Sequence, residues 1–212
     1  SAWYDDTTPE KLKGFPKSSN MREMRWNKQL AESALKWAQQ CQVGMDECRD
    51  LWLDGRRKFD LNIHEVPSQS LMRASQMFSS KEWNTNEEQP HVQTFFHEWI
   101  NEVANFSKDN IQNYVHNENM VTDHFIQLIW ARTYMVGCAM VSWNAETPGF
   151  RLLFLVCNYA PRGNIDQQPV YLIGGPCAEC APLYADSNYG QKCGDKLPTL
   201  CETSSSTIMG ID

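Results

Sequence analysis

The chain has 212 residues, enough for one large domain or for a domain of about 150 residues with an appendage. Hydrophobic residues make up 42%, including 8 Trp and 9 Phe, which excludes an intrinsically disordered chain. A net charge of −7, with Arg56-Arg57-Lys58 as the nearest basic cluster, argues against nucleic acid as a partner, and that cluster reads as a solvated loop.

Residues 1–22 are polar, interrupted by Pro9, Gly14 and Pro16, and read as an extended N-terminal arm. The chain opens on Ser1-Ala2-Trp3-Tyr4 without a leader, as a processed or truncated chain would. Leu30, Ala34, Trp37, Ala38 and Cys41 recur at helical spacing, with Asn27 placed as the N-cap. Residues 42–90 carry mixed polar patches and predict a short helix over 70–78. A second helix is expected over 90–105, with Pro90 in its first turn and Val92, Phe95, Phe96, Trp99 and Val103 on one face. After a polar stretch, Thr122 is placed to cap a shorter helix over 124–131. Residues 134–143 and 150–159 are nearly continuous apolar runs joined by a turn containing Pro148-Gly149. They predict a hairpin covered on both faces. Periodicity ends after residue 174, and no window is long and apolar enough for a transmembrane helix.

Eight cysteines suggest an oxidising, extracellular setting and disulfide bonds. Zinc is the competing reading of Cys177-Ala178-Glu179-Cys180, but the wide spacing of Cys193 and Cys201 suits a zinc ribbon poorly. Cys138 and Cys157 fall on the two hairpin strands, where a crosslink is open to them if they lie nearly opposite on one face. Such a bond contributes roughly 3 kcal/mol in the chain-entropy treatment. Asn105-Phe106-Ser107 is a glycosylation sequon, with Asn105 as the acceptor.

Five marks stand in a telling order. They are Trp37-Ala38-Gln39-Gln40-Cys41, Trp99-Ile100-Asn101-Glu102, His124-Phe125-Ile126-Gln127-Leu128-Ile129-Trp130, Val136-Gly137-Cys138, and the run from Val156-Cys157-Asn158-Tyr159 through Pro161 to Gly163-Asn164. Over about residues 22–181 the chain resembles the CAP superfamily of cysteine-rich secretory, antigen-five and pathogenesis-related proteins. Within it the chain looks most like the venom allergen-like, or activation-associated, secreted proteins of parasitic worms. The resemblance implies an α+β fold, a three-layer α-β-α sandwich over residues 1–173, followed by a disulfide-bonded extension over 174–212. It also implies the pairs Cys138–Cys157, Cys177–Cys193 and Cys180–Cys201, which leaves Cys41 and Cys48 for each other unless they are free or pair elsewhere.

Many members of the family hold a divalent metal between two His and two Glu. By resemblance this chain keeps Glu102 and His124 but has Met45 and Ser68 at the other two positions. A thioether and a hydroxyl are poor replacements for imidazole and carboxylate, so no metal site and no cofactor are expected. Glu98, four residues before Glu102, reads as a solvated side chain, and His64 or Glu65 would serve only in a rebuilt loop. A hydrolase reading would use His124 as base, Glu102 to orient it and Ser68 as nucleophile, but no nucleophile motif is present and no catalytic residue is assigned. The family's lipid-binding members imply a non-enzymatic carrier of sterol or fatty acid. Phe106, Ile111, Tyr114, Val115 and Met120 would be the apolar members of the binding loop, unless they only pack that loop onto the domain. The implied setting is extracellular, at a host–parasite interface. A protein-interaction module that acts on a host protein is the alternative from a different class. The family's His-Asn-x-x-Arg helix has no counterpart in residues 1–22.

Overall fold

The computed structural model describes residues 12–42, 44–48, 51–53, 63–65, 67–77, 88–144, 146, 150–183 and 190–203, without the side chains of 51–53, 63–65, 72–77 and 88–91. Arg56-Arg57-Lys58, Phe78, the Pro148-Gly149 turn and the first eleven residues of the arm lie outside the described residues. The elements run β1 (Arg25–Trp26), α1 (Lys28–Ala38), β2 (Leu51–Leu53), β3 (Ile63–Glu65), β4 (Ser68–Met77), α2 (Glu88–Asn101), α3 (Asp123–Leu128), β5 (Met135–Asn144) and β6 (Phe150–Ala160). The chain divides into two units, one of residues 26–100 and 135–161, the other of residues 1–25, 101–134 and 162–212.

The first unit is built on a four-stranded sheet in the order β1-β5-β6-β4, with β2 and β3 as a separate pair. β5 and β6 form the expected hairpin, from Met135 opposite Ala160 to Asn144 opposite Arg151. β6 is buried without a break from Leu153 to Ala160, as its continuous apolar sequence requires of a central strand. β5 is mostly half-buried, with polar Ser142 and Asn144 exposed near its end. Cys138 lies directly opposite Cys157, and the two form the expected disulfide.

β4 corrects the helix expected over 70–78. It is a strand paired with β6 along its whole length, from Ser68 opposite Tyr159 to Met77 opposite Phe150. Leu, Met, Arg, Ala and Gln favour helices only weakly, and ten consecutive ladder positions override that preference.

Asn27 caps α1 as expected, its side-chain oxygen accepting from the Leu30 N–H at 3.0 Å. Leu30, Ala34 and Ala38 are buried; Ala34 and Ala38 pack with Phe154 and Val156. The small Gly137 makes the approach of α1 possible. A Cβ there would collide with the backbone of Asn27, Leu30 and Ala31. A buried amide network ties the same unit together. The Asn158 side chain donates to Leu30 O at 3.4 Å and accepts from Gln69 at 2.9 Å, and Gln69 accepts from the Asp46 N–H at 2.8 Å. Cys41 lies past the end of α1 at φ 56° and is exposed, so it does not continue the helix's buried face.

The second unit has little regular structure beyond α3 and two 3-10 turns, Glu102–Asn105 and Lys108–Asn110. Its arm and tail hold each other. Ser19 N–H donates to Leu172 O at 2.8 Å, Gly174 N–H to Lys17 O at 3.0 Å and Cys201 N–H to Met21 O at 2.7 Å. The half-buried Arg22 donates to the carbonyls of Ala181, Gly190 and Glu202, and desolvation by burial lowers its pKa. Cys177–Cys193 and Cys180–Cys201 crosslink the tail as implied. Cys41 and Cys48, left for each other by the resemblance, are instead exposed free thiols, which corrects that pairing. Neither is gathered into a core that would hold the two sulfurs together.

Candidate functional site

In the second unit Glu102 and His124 do meet. His124 Nδ1 lies 2.6 Å from Glu102 Oε1, while Glu102 Oε2 accepts from the backbone N–H groups of His124 and Phe125 at 3.0 and 3.1 Å. These N–H groups belong to the first turn of α3, where a helix leaves its donors without intrahelical partners. Glu102 therefore caps α3 from another segment, and its negative charge suits that end of the helix. Thr122 occupies the N-cap position but makes no side-chain cap bond, so the capping role expected of it passes to Glu102.

This geometry bears on the metal set that the family implies. Both Glu102 oxygens already face N–H groups or the imidazole, and among the described residues no group of three His, Cys, Asp or Glu side chains is arranged to hold an ion. The donors present do not fit the family's four-ligand site. Met45 is 52% exposed, Ser68 sits in β4, and Glu98 is exposed on α2. His64 and Glu65 lie in β3, with their side chains outside the described residues.

The other motif residues lock the same unit. Gln127 accepts from the Gly163 N–H and donates to Thr133 Oγ1, both at 3.0 Å. A side chain at Gly163 would strike Gln127 and Trp130. Asn164, at φ 54°, donates to Asp123 O at 2.8 Å.

The five loop residues expected to contact lipid separate into three groups. Ile111 and Tyr114 are fully buried and fasten the loop: Val170 N–H donates to Ile111 O, Tyr114 N–H to Gln168 O, and the Tyr114 ring meets Trp130 edge-on at 5.9 Å. The Tyr114 hydroxyl donates to Asp123 at 3.0 Å, and burial together with that carboxylate raises its pKa well above the ordinary phenol value. For these two the packing role wins, because they are buried and bonded to Asp123, Gln168 and Val170 outside the loop. Val115 and Met120 are exposed at 55% and 45%. Phe106 joins the aromatic group of arm and α3, stacking on Phe15 at 6.4 Å and lying 6.2 Å from Phe125. Asn105 is exposed, its side-chain amide donating to Val121 O at 3.1 Å.

Phe15 and Phe125 line a small cleft, open to solvent, with a cavity volume of about 40 Å³. The arm supplies Leu12, Phe15, Pro16 and Met21 to it, and α3 with its following residue supplies Phe125 and Ile129. Tyr171 closes one side, Thr199 and Leu200 of the tail another, and Lys17 and Ser18 add polar groups. Apolar walls with a few polar groups are the usual make-up of a small-molecule site. The sequence signals for it were Leu12, Phe15 and Met21 in the arm and Leu200 beside Cys201; none shows a period, and only tertiary structure brings them together.

Residues 13–159 match the family described as CAP, cysteine-rich secretory protein family. The chain belongs to that family. It is 33% identical over 158 residues to a venom allergen 5 of Rhynchium brunneum, covering 74% of this chain and 60% of that relative, so it spans less than two thirds of the relative's length. Among solved structures, a hookworm platelet inhibitor aligns with TM-score 0.54 at 23% identity, over 88% of this chain and 79% of that one. BmVAL-1 aligns with TM-score 0.52 at 24% identity, over 90% of this chain and 81% of that one. These likenesses show the CAP fold, the mixed helix-and-sheet class expected from the motifs. No helix among the described residues is long and apolar enough to cross a membrane.

Proposed function

We propose that this CAP protein is a secreted, non-enzymatic carrier of a small apolar lipid, a sterol or a fatty acid, acting at a host interface, with the cleft between arm, α3 and tail as its binding site. The cleft itself carries the reading: aromatic and aliphatic side chains from three separated segments converge on one solvent-open space, backed by Phe106. The capping role of Glu102 supports the non-enzymatic part. A carboxylate holding two backbone N–H groups and an imidazole is a structural strut for α3. Three disulfides support an oxidising destination.

Lipids extracted from protein purified without detergent, identified by mass spectrometry, test the reading alongside titration with dehydroergosterol and cis-parinaric acid. Saturable one-to-one binding of either probe, lost in Phe125→Asp but kept in Val115→Asp, is the expected result. A clean extract together with no saturable binding of either probe contradicts it.

A further inference from the structure

We infer that the tail tethered by Cys180–Cys201 is a removable wall of the cleft, so that reduction of this one disulfide releases the bound lipid. The inference rests on the lipid-carrier reading and adds its regulation.

The walls of the cleft are held in two different ways. The arm is bonded to residues 171–174, a segment outside the crosslinked loop. Tyr171 hydroxyl donates to Pro16 O at 2.9 Å, Leu172 N–H donates to Asn20 Oδ1 at 2.8 Å, and Gly174 N–H donates to Lys17 O. Phe125 is fully buried on α3, which Glu102 caps. Neither wall involves a cystine. The third wall, Thr199 and Leu200, immediately precedes Cys201. Residues 174–203 form no helix or strand of their own among the described residues, and Asp195, Lys196, Leu197 and Pro198 are exposed. The backbone of Cys201 makes two hydrogen bonds to the arm, with Met21 and Glu23, and its sulfur is bonded to Cys180. Arg22 still holds Gly190 and Glu202 and Cys193 stays bonded to Cys177, so the opening that follows loss of Cys180–Cys201 is local to the exposed turn leading into Thr199 and Leu200. Cys201 is fully buried, but Cys180 is partly exposed, giving an attacking thiolate a way in.

The step balances with a dithiol as reductant. Its thiolate attacks Cys180 Sγ, the Cys180–Cys201 bond breaks, and Cys201 Sγ leaves and takes up a proton. The second thiol of the reductant then closes on the first. Cys180 is freed as a thiol, and the reductant departs as its own cyclic disulfide. Cys138 is partly exposed, as Cys180 is, but the Cys138–Cys157 bond joins two directly paired positions of the β5–β6 ladder, which holds its strands together whether or not the bond is open.

The test compares dissociation constants for cis-parinaric acid and dehydroergosterol in three forms of the full chain: oxidised, treated with dithiothreitol, and Cys180→Ala/Cys201→Ala. Alkylation and mass spectrometry identify which cysteines have opened. The expected result is binding by the oxidised chain, then weakening of about tenfold or more once Cys180–Cys201 is open with Cys177–Cys193 and Cys138–Cys157 intact. Unchanged affinity in that state overturns the inference and leaves the carrier reading standing. Resistance of Cys180–Cys201 to dithiothreitol while the chain stays folded also overturns it. Failure of the oxidised chain to bind either probe removes the carrier reading and this inference with it. If the double variant does not fold, the dithiothreitol arm decides alone.

Discussion

The two units of this chain are stabilised in contrasting ways. In the sheet unit the backbone does most of the work: β4, β5 and β6 share long antiparallel ladders, and α1 lies on them through small residues at Ala34, Ala38 and Gly137. In the arm–tail unit, ladders are replaced by single bridges, side chains bonded to backbone, and two cystines. In the first arrangement the described buried residues Ala34, Ala38, Phe154 and Val156 pack against one another. The second leaves a cleft between segments that are tied at a few points. Rigid scaffolds carrying binding sites on irregular segments are common, since loops tolerate open space that a sheet core does not.

Substitutions chosen in each unit sharpen this contrast. The largest effect is expected from Gly137→Val. Its side chain would meet the backbone of α1's first turn, which cannot rotate away, so the loss is about 3 kcal/mol or more. Urea unfolding measures it, and a loss near zero would mean that α1 does not press on β5 as described. Glu102→Ala comes next. It strips the cap from α3 and leaves two N–H groups and an imidazole without their carboxylate, costing about 2 kcal/mol. Hydrogen exchange should speed up at His124 and Phe125 while β6 amides stay protected. Equal acceleration in both places would contradict the separation of the units' stabilities.

The smallest effect is a pH dependence. Burial and Asp123 raise the pKa of Tyr114, and burial raises that of Tyr159. The folded chain therefore keeps protons that the unfolded chain sheds above about pH 10. Stability from these two phenols is complete below that pH and falls as pH rises through their folded values. Urea midpoints at about pH 8 and about pH 11, with Cys41 and Cys48 alkylated, should show this fall. Tyr114→Phe should make it shallower, and an unchanged slope would remove Tyr114 from the account.

Much of the sheet unit was legible in the sequence because its signals are local. Asn27, the 3.6-residue recurrence after it and the apolar runs of β5 and β6 each report their element directly. β4 was not legible, because its residues favour helix slightly and its strand state comes from pairing with β6, a partner far away in sequence. Around the site, the motif residues Glu102, His124, Gln127 and Gly163 were visible, but their work was not. The motif shows that Glu102 and His124 belong together, while only the geometry shows a carboxylate capping α3. The cleft was hidden for a further reason: its walls come from residues near 12–21, 125–129 and 199–200, which no window spans.

The central claim is that an apolar ligand occupies the cleft between arm, α3 and tail. Photolabelling with a diazirine-bearing fatty acid and a diazirine-bearing sterol, followed by peptide mapping, tests it most directly. The account predicts adducts on peptides containing Phe15, Ile129 and Leu200, suppressed by excess unlabelled lipid. Competable adducts confined to Val115 and Met120, or to the sheet unit, would contradict it.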